Sequence, residues 1–196
     1  IEDIDPVRYI SNYSSGKMGL ALADAAQNLG ADVTLITTKE VERKYNVIKV
    51  KSATDMKSAV EKEFSDADCV IMAAAVADYR VKEKSEQKMK KTSDNDELTL
   101  TLVKNPDILK EISLAKKNQK IVGFCAESEN LIENAKAKIA NKGCDYLIAN
   151  DISRKDIGFS SDYNEVTILN KTGSMKKIEK ADKTTIAYKI FEEIYG

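Results

Sequence analysis

The clearest fold signal in the chain is the stretch CVIMAAAVADY, residues 69–79, in which a short apolar run passes directly into small side chains and then a carboxylate. An uninterrupted apolar run is typical of a strand buried on both faces. On either side of it, short apolar runs alternate with longer amphipathic stretches. This alternation predicts an α/β fold, in which a Rossmann-like, doubly wound, mostly parallel sheet carries helices on both faces.

The same patterns locate the individual elements. The predicted strands are 32–37, 47–50, 69–73, 98–102, 121–125, 146–149 and 166–169. The predicted helices are 18–29, 55–64, 106–115, 131–141 and 183–194. Gly30 and Gly143 are expected to end helices, and Asn105 is expected to cap a helix whose first turn holds Pro106.

Composition excludes several classes of function. The 196 residues carry 31 Lys and Arg against 32 Asp and Glu, a net charge of −1, so we expect no nucleic-acid partner. No apolar run approaches the ~20 residues of a membrane span, so we expect no membrane partner either. The chain contains no His, which excludes imidazole acid–base catalysis and nearly all His-containing zinc sites. Cys69, Cys125 and Cys144 are odd in number and lie in or beside apolar runs, which predicts reduced core thiols of a cytoplasmic protein.

The segment NYSSGKMG, residues 12–19, opens the first predicted helix. Ser14, Ser15 and Gly16 could present free backbone N–H groups and the positive end of the helix dipole to a phosphate. An ordinary serine N-cap explains the same residues as well as a phosphate site does. Because the segment matches neither GxGxxG nor the P-loop, it weakens a standard dinucleotide or P-loop interpretation.

The small residues after the buried strand indicate a ligand crevice, because the carboxyl ends of parallel strands line such crevices. Ala73 and Ala74 would let a base or sugar approach the backbone, and Asp78 could accept hydrogen bonds from an amino group. A helix-capping role for Asp78 remains open on the pattern alone.

A basic loop follows this strand. Between Arg80 and Lys91 it carries six basic residues against Glu83 and Glu86. Lys88, Lys90 and Lys91 could neutralise a triphosphate, although most charge runs are only solvated surface. Lys138 and Lys142 are spaced i, i+4 on one predicted helix and would point the same way.

Seven motifs together resemble phosphopantothenoylcysteine synthetase, the ligase of coenzyme A biosynthesis. They are DPVRYISNYSSGKMG, AAAVADYR, KMKK, LVKNPDIL, VGFCAES, LIANDIS and GFSSD, and they follow one another along the whole chain. The resemblance implies a CTP-dependent ligase that converts phosphopantothenate into an acyl cytidylate with release of pyrophosphate. The amine of L-cysteine then displaces CMP. CTP as co-substrate and Mg²⁺ are implied with it.

The resemblance also implies residue roles. Lys88, the first Lys of KMKK, would stabilise the triphosphate from a flexible flap at about residues 80–97. Arg8, Asn12 and the backbone at Ala75 would hold the phosphopantothenoyl part and assist the attack by cysteine. The CTP site would comprise Ala73, Ala74, Asp78, Pro106, Asp107, Ile108, Leu109, Phe124, Lys138 and Lys142, with Asp78 reading the cytosine edge. No residue is assigned as a metal ligand, since Mg²⁺ would be held by phosphates and water.

The resemblance sets the expected context of the domain as well. Residues 1–196 would form one ligase domain, and relatives carry a further strand and a GGT turn ahead of the part that appears here as IEDIDPVR. A homodimer is expected, as is a possible fused phosphopantothenoylcysteine decarboxylase, which would bring FMN. An NAD(P)-dependent reductase on the same topology and a nonenzymatic nucleotide-binding module are the alternative functions.

Overall fold

The structure is a computed structural model, and it describes residues 1–90, 97–153 and 161–196. The helices are α1 (Lys17–Asn28), α2 (Ala53–Phe64), α3 (Ile108–Ala115), α4 (Leu131–Lys142) and α5 (Lys183–Tyr195). The strands are β1 (Glu2–Asp3), β2 (Tyr9–Ile10), β3 (Thr34–Thr37), β4 (Asn46–Lys49), β5 (Cys69–Met72), β6 (Tyr79–Val81), β7 (Leu102–Lys104), β8 (Lys120–Glu127), β9 (Tyr146–Asp151), β10 (Tyr163–Asn170) and β11 (Met175–Asp182). The alternation of strands and helices confirms the predicted α/β class.

The central sheet has five strands in the order β11-β10-β9-β8-β5. Strands β5, β8 and β9 are parallel to one another, with Met72 opposite Gly123 and Phe124 opposite Ile148. Strand β10 runs antiparallel to both β9 and β11. The carboxyl ends of the three parallel strands therefore meet at one edge, which is where α/β proteins bind their ligands.

Two apolar cores cover the two faces of this sheet, which confirms the predicted doubly wound arrangement. Alternate residues of β8 and β9 point to opposite faces because side chains alternate along a strand. Ile121 and Leu147 join the core formed with α2, α3 and α4. Val122 and Ile148 join the core formed with α1 and α5.

Strands β3 and β4 form a separate parallel pair, in which Leu35 lies opposite Val47. Within the described ranges, β3 hydrogen-bonds to β4 alone and β5 to β8 alone. A groove of about 1620 Å³ is lined by every residue of β3 and every residue of β5. Two strand edges therefore face the same groove.

The region around residues 79–108 corrects three predictions. The predicted strand 98–102 is wrong, because the observed strand β7 covers Leu102–Lys104 and shares only Leu102 with it. Strand β7 pairs antiparallel with β6, which lies in the segment predicted to be loop. Asn105 does not cap α3; Asp107 is the N-cap, and its carboxylate accepts the N–H of Lys110 at 3.2 Å. Pro106 accordingly lies outside the helix rather than in its first turn.

The hairpin of β10 and β11 also differs from the prediction, which placed no strand at β11. Most residues of β11 are exposed and many are charged, so the strand lacks the apolar run that the other sheet strands show. Gly30 and Gly143 end α1 and α4 as predicted, with φ of 90° and 70°. None of the described helices is both long and apolar enough to cross a membrane.

Candidate active site

The turn between β1 and β2 holds Arg8 in a fixed position. The backbone N–H of Ile4 donates to the carbonyl of Arg8 at 2.8 Å and closes the turn. Inside it, one carboxylate oxygen of Asp5 accepts the backbone N–H groups of Val7 and Arg8, both at 2.9 Å. The other oxygen accepts the Arg8 guanidinium at 3.0 Å from Nε and 2.5 Å from Nη2. These hydrogen bonds hold the pKa of the Asp5 carboxyl well below its usual range, with the Arg8 guanidinium as the largest cause.

Asn12 and Ala75, which the resemblance puts in one role, lie in contact. The Asn12 amide donates to the carbonyl of Ala75 at 3.4 Å and to the carbonyl of Val76 at 3.1 Å. Both carbonyls belong to the segment that leaves the carboxyl end of β5. Asn12 itself is exposed, so its contacts are made at the surface of the crevice.

The KMKK motif contacts the β1–β2 turn through Met89. The Met89 N–H donates to Asp5 at 3.2 Å, and the Met89 carbonyl accepts Arg8 Nη2 at 3.1 Å. Met89 is half-buried, whereas Lys88 and Lys90 are exposed. The structure thus places the Lys88 segment against Asp5 and Arg8, and it places Asn12 and Ala75 together in the lining of the groove. Lys91 lies outside the described residues.

The loop after β5, which carries Ala73, Ala74 and Asp78, is tied to the β6–β7 hairpin by Asn105. The Asn105 amide donates to the carbonyl of Ala77 at 2.8 Å, and its backbone N–H donates to the carbonyl of Asp78 at 2.8 Å. Arg80 in turn donates to the Asn105 side-chain oxygen at 3.1 Å. The Asp78 side chain is exposed, as a group that is to read a ligand must be. The sequence pattern predicted Asn105 as a helix cap and did not reveal that it ties the loop after β5 to the hairpin.

The segment Pro106–Leu109 lies at the amino end of α3, beside the middle of β8. Ile108 is buried and Leu109 packs on Gly123, where an added Cβ would lie 2.6 Å from Leu109 Cδ2. Phe124 follows Gly123 directly on β8 and is half-buried. The Phe124 side chain packs in the core with α1 and α5, whereas Leu109 packs in the core with α2 and α4, so the structure places these two predicted nucleotide residues on opposite faces of the sheet.

Both predicted lysines of α4 are paired with carboxylates. Lys142 forms an ion pair with Asp107, and Lys138 contacts Glu127 at 2.6 Å. Glu127 ends β8 and also accepts the Asn134 amide at 3.0 Å. A phosphate that binds either lysine must compete with these carboxylates. The sequence patterns did not single out Glu127, although its position as a carboxylate at the carboxyl end of a predicted parallel strand could have indicated a site residue.

The serine-rich turn before α1 does not contain the serine N-cap that was one of its two interpretations. Gly16 is the N-cap, with a left-handed φ of 78° that favours glycine, and it supplies no side-chain hydrogen bond. The Ser15 hydroxyl oxygen accepts the backbone N–H of Lys17 at 3.4 Å. Ser14 and Gly16 line the same groove as Asn12.

The remaining chemical groups near the site are carboxylates and thiols. Among the described residues, no cluster of three or more His, Cys, Asp or Glu side chains could hold a metal ion. Cys125 and Cys144 are buried, and burial raises the pKa of each thiol to about 11, which is typical of unreactive core cysteines. Cys69 is half-buried, and burial raises the pKa of its thiol too. Of the GFSSD motif, Gly158 to Ser160 lie outside the described residues.

Comparison with known proteins shows the family of the chain. The family model described as "DNA/pantothenate metabolism flavoprotein C-terminal domain" matches residues 1–196. The coenzyme A biosynthesis bifunctional protein CoaBC of Vibrio vulnificus is 45% identical over 98% of this chain and 49% of its own length. The chain thus spans about half the length of the curated relatives that it matches.

Solved structures give the same result. The crystal structure of the C-terminal domain of a CoaBC protein is 35% identical, covers 98% of this chain and 88% of that chain, and has a TM-score of 0.81. A Cab2 mutant in complex with phosphopantothenate-cysteine shares the fold at 14% identity and a TM-score of 0.73, covering 98% of this chain and 81% of that chain. The family model and the 45% identical relative confirm the resemblance drawn from the motifs, and we conclude that the chain belongs to the DNA/pantothenate metabolism flavoprotein C-terminal domain family.

Proposed function

We propose that the chain is the phosphopantothenate-cysteine ligase domain of coenzyme A biosynthesis. It would join phosphopantothenate to L-cysteine at the expense of CTP. The observation that carries this proposal is that motif residues from distant parts of the chain are paired in the structure, the Lys88 segment with Arg8, and Asn12 with Ala75 just after the carboxyl end of β5. These residues are far apart in sequence, and an amide-forming reaction of an anionic acid needs such cations and hydrogen-bond donors together.

The first half-reaction activates the carboxylate. A carboxylate oxygen of phosphopantothenate attacks the α-phosphorus of CTP, the new O–P bond forms, and the bond to pyrophosphate breaks. Negative charge grows on the leaving pyrophosphate, so an exposed cation beside it stabilises the transition state. Lys88 is exposed on a segment whose backbone is held at Arg8, and it is the residue that we assign to this task.

The nucleotide would lie along the carboxyl ends of β5 and β8. Ala73 and Ala74 leave room for it, and the exposed Asp78 carboxylate would accept a hydrogen bond from the cytosine amino group. Lys138 and Lys142 would exchange their present partners, Glu127 and Asp107, for phosphate oxygens. Ser14, Ser15 and Gly16 would approach the phosphates from the start of α1.

The second half-reaction forms the amide. The cysteine amine attacks the acyl carbon of the cytidylate, the bond to the CMP oxygen breaks, and the amine loses a proton. Arg8 would hold the phosphopantothenoyl part, and Asn12, whose amide donates to the carbonyl of Ala75, would fix the backbone against which the acyl group would lie. No step needs an imidazole, which suits a chain without His.

Magnesium would arrive as the Mg²⁺ complex of CTP, and so as part of a substrate. Phosphate oxygens and water are ordinary Mg²⁺ ligands, so the site needs no protein cage.

The wider context is proposed from the relatives. The names of the CoaBC proteins describe them as bifunctional, and this chain matches about half of one, so we propose that a fused decarboxylase half accompanies it and binds FMN. We assign no residue of this chain to the flavin. A homodimer and a cytoplasmic location are further proposals, and the unpaired cysteines support the second.

We also propose that the groove between β3 and β5 receives one extended strand, the strand that the resemblance places ahead of IEDIDPVR. Two strand edges face this groove, and a strand that paired with both would join the separate pair to the central sheet. The test adds those preceding residues and follows hydrogen exchange of the β3 and β5 amides. Slower exchange in both strands is expected, and unchanged exchange would contradict the proposal.

The ligase proposal is tested with Lys88→Gln by following pyrophosphate release from CTP, phosphopantothenate and Mg²⁺. A loss of about 100-fold is expected, because the removed charge acts on the transition state. Lys82→Gln is the matched control, since it removes an equal charge from an exposed position on the same loop. Undiminished release in Lys88→Gln would contradict the assigned role.

A thermal-shift series with CTP, ATP, UTP and NADPH tests the nucleotide and separates the alternatives. A ligand that binds only the folded state raises the melting temperature. We expect the largest rise with CTP; a preference for NADPH would favour a reductase, and binding without pyrophosphate release would favour a nonenzymatic module.

A further inference from the structure

The Asp5 carboxylate is buried and serves two parts of the chain at once. Its side chain has 0% exposure. It accepts hydrogen bonds from Val7 N, Arg8 N, Arg8 Nε, Arg8 Nη2 and Met89 N. The first four donors are local, but Met89 is 84 residues away in the sequence. The carboxylate therefore both stabilises the local turn and connects it to the Met89 segment.

The contact with Met89 determines which way the neighbouring lysines point. The Met89 backbone is held from both sides, because its N–H donates to Asp5 and its carbonyl accepts Arg8 Nη2. Met89 is half-buried, whereas Lys88 and Lys90 are exposed. A backbone pinned at Met89 thus presents Lys88 to solvent beside Arg8.

Two further contacts align the same two segments. The backbone N–H of Ser85 donates to the carbonyl of Ile4 at 2.9 Å. Lys84 forms an ion pair with Asp3 at 2.8 Å, and Asp3 also contacts Lys51 at 2.5 Å. Both lysines are more than half exposed, and ion pairs that depend on such mobile side chains contribute little. The hydrogen bonds of Asp5 and Arg8 to the Met89 backbone, together with the Ser85–Ile4 backbone bond, therefore link the β1–β2 turn to the lysine segment.

We propose that Asp5 is a positioning residue that docks the Lys88 segment onto Arg8, so that the cation for the triphosphate and the cation for the acyl substrate occupy fixed relative positions. This inference rests on the proposed function for the role of Lys88. The docking itself is a property of the unliganded chain. Asp5 contacts neither substrate and acts through Arg8 and Met89.

The unmodified protein gives the first test, by amide hydrogen exchange. We expect the Met89 amide to be protected at least tenfold relative to those of Lys88 and Lys90, since it alone of the three donates to a buried carboxylate. A Met89 amide that exchanges as fast as its neighbours would overturn the proposal.

Asp5→Asn is the informative variant because an amide can keep the hydrogen bonds of one carboxylate oxygen but not those of the other. The amide oxygen can still accept the N–H groups of Val7 and Arg8, which keeps the turn. The amide nitrogen would face the donors of Arg8 and Met89 and cannot accept from them. Trypsin cleavage of the Lys88–Met89 bond should accelerate about tenfold, the effect of losing one hydrogen bond to a charged group. Asp5→Ser, which keeps one acceptor for the turn, should behave likewise if the asparagine variant does not fold.

Asp24→Asn is the matched control. Asp24 also accepts hydrogen bonds from an arginine, Arg43, but lies on α1. Its loss should leave cleavage at Lys88 unchanged. Unchanged cleavage in both Asp5 variants would overturn the proposal.

A double-mutant cycle with Lys88→Gln separates positioning from a general structural role. Asp5→Asn alone should lower the rate of pyrophosphate release about tenfold, and it should lower it no further in the Lys88→Gln background. Losses that multiply would overturn the positioning role. If Lys88→Gln kept full activity, the proposed function of Lys88 would fail, while protection and cleavage at Met89 would still report on the docking.

Discussion

Replacing Gly123 by Ala tests the packing that joins β8 to α3. An added Cβ would lie 2.6 Å from Leu109 Cδ2 and 3.0 Å from Leu147 Cδ1. Leu147 is 1% exposed and cannot withdraw, so Leu109 must move. Overpacking of this kind costs about 1–3 kcal/mol. At about 2–4 °C per kcal/mol for a chain of this size, we expect the melting temperature to fall by roughly 4–8 °C for a 2 kcal/mol loss.

The same substitution should weaken nucleotide binding, because Leu109 belongs to the segment that we assign to the CTP site. A cost of about 1.4 kcal/mol on the bound state corresponds to a roughly tenfold increase in Kd. Calorimetric unfolding and CTP titration measure the two effects separately.

Gly19→Ala is the matched control. No atom lies within 4 Å of a Cβ added at Gly19, which is on α1, so alanine should stabilise the fold by up to about 1 kcal/mol. Two identical chemical changes are thus expected to have opposite signs. If Gly123→Ala melted with the wild type and bound CTP equally well, the close contact of Leu109 with β8 would be refuted.

Three further predictions concern catalysis, pH and thiol reactivity. Asn12→Asp places a carboxylate against the carbonyls of Ala75 and Val76. The attack by cysteine should therefore slow about 10–100-fold while pyrophosphate is still released. An equal loss of both half-reactions would contradict the assignment of Asn12 to the cysteine step. Burial raises the pKa of Asp145, but hydrogen bonds from Lys116, Lys171 and a backbone N–H outweigh it and lower the pKa from 3.8 to about 2. The Asp145 carboxylate therefore contributes about 2 kcal/mol to the free energy of unfolding above pH 4, and this contribution is lost as the pH falls through about 2. In acid titrations, the free energy of unfolding of Asp145→Asn should consequently vary less with pH than that of the wild type. The two buried thiols with a pKa of about 11 should react with a thiol reagent at pH 8 only after denaturation, and fast labelling of the native protein would contradict their burial.

Much of the fold could be predicted because strand and helix patterns are local. The apolar runs at β8 and β9 were recognisable since these strands are largely buried on both faces, and β5 was recognisable although each of its residues is only half-buried beside the groove. Strand β11 has mostly exposed and charged residues, so its sequence contains no apolar run that would predict a strand. Strands β6 and β7 have three residues each and are stabilised by pairing with each other, which a local pattern does not reveal.

The candidate site divides in the same way. The motifs named Arg8, Asn12, Ala75 and Lys88 because their residue types and order are written in the chain. They could not show that Asp5 is buried beneath Arg8, that Asn105 ties the hairpin to the β5 loop, or that Glu127 already pairs with Lys138.

The sequence by itself determined the fold class, the family and the residue types of the site, since periodicity and motif order are properties of the linear chain. Only the tertiary structure decided which donor meets which acceptor. The partner of the Asp5 carboxylate at Met89 is 84 residues away, and the partner of the Asn12 amide at Ala75 is 63. Such pairs form because packing of the sheet and its helices brings distant backbone groups within hydrogen-bond distance, and no local pattern carries that information.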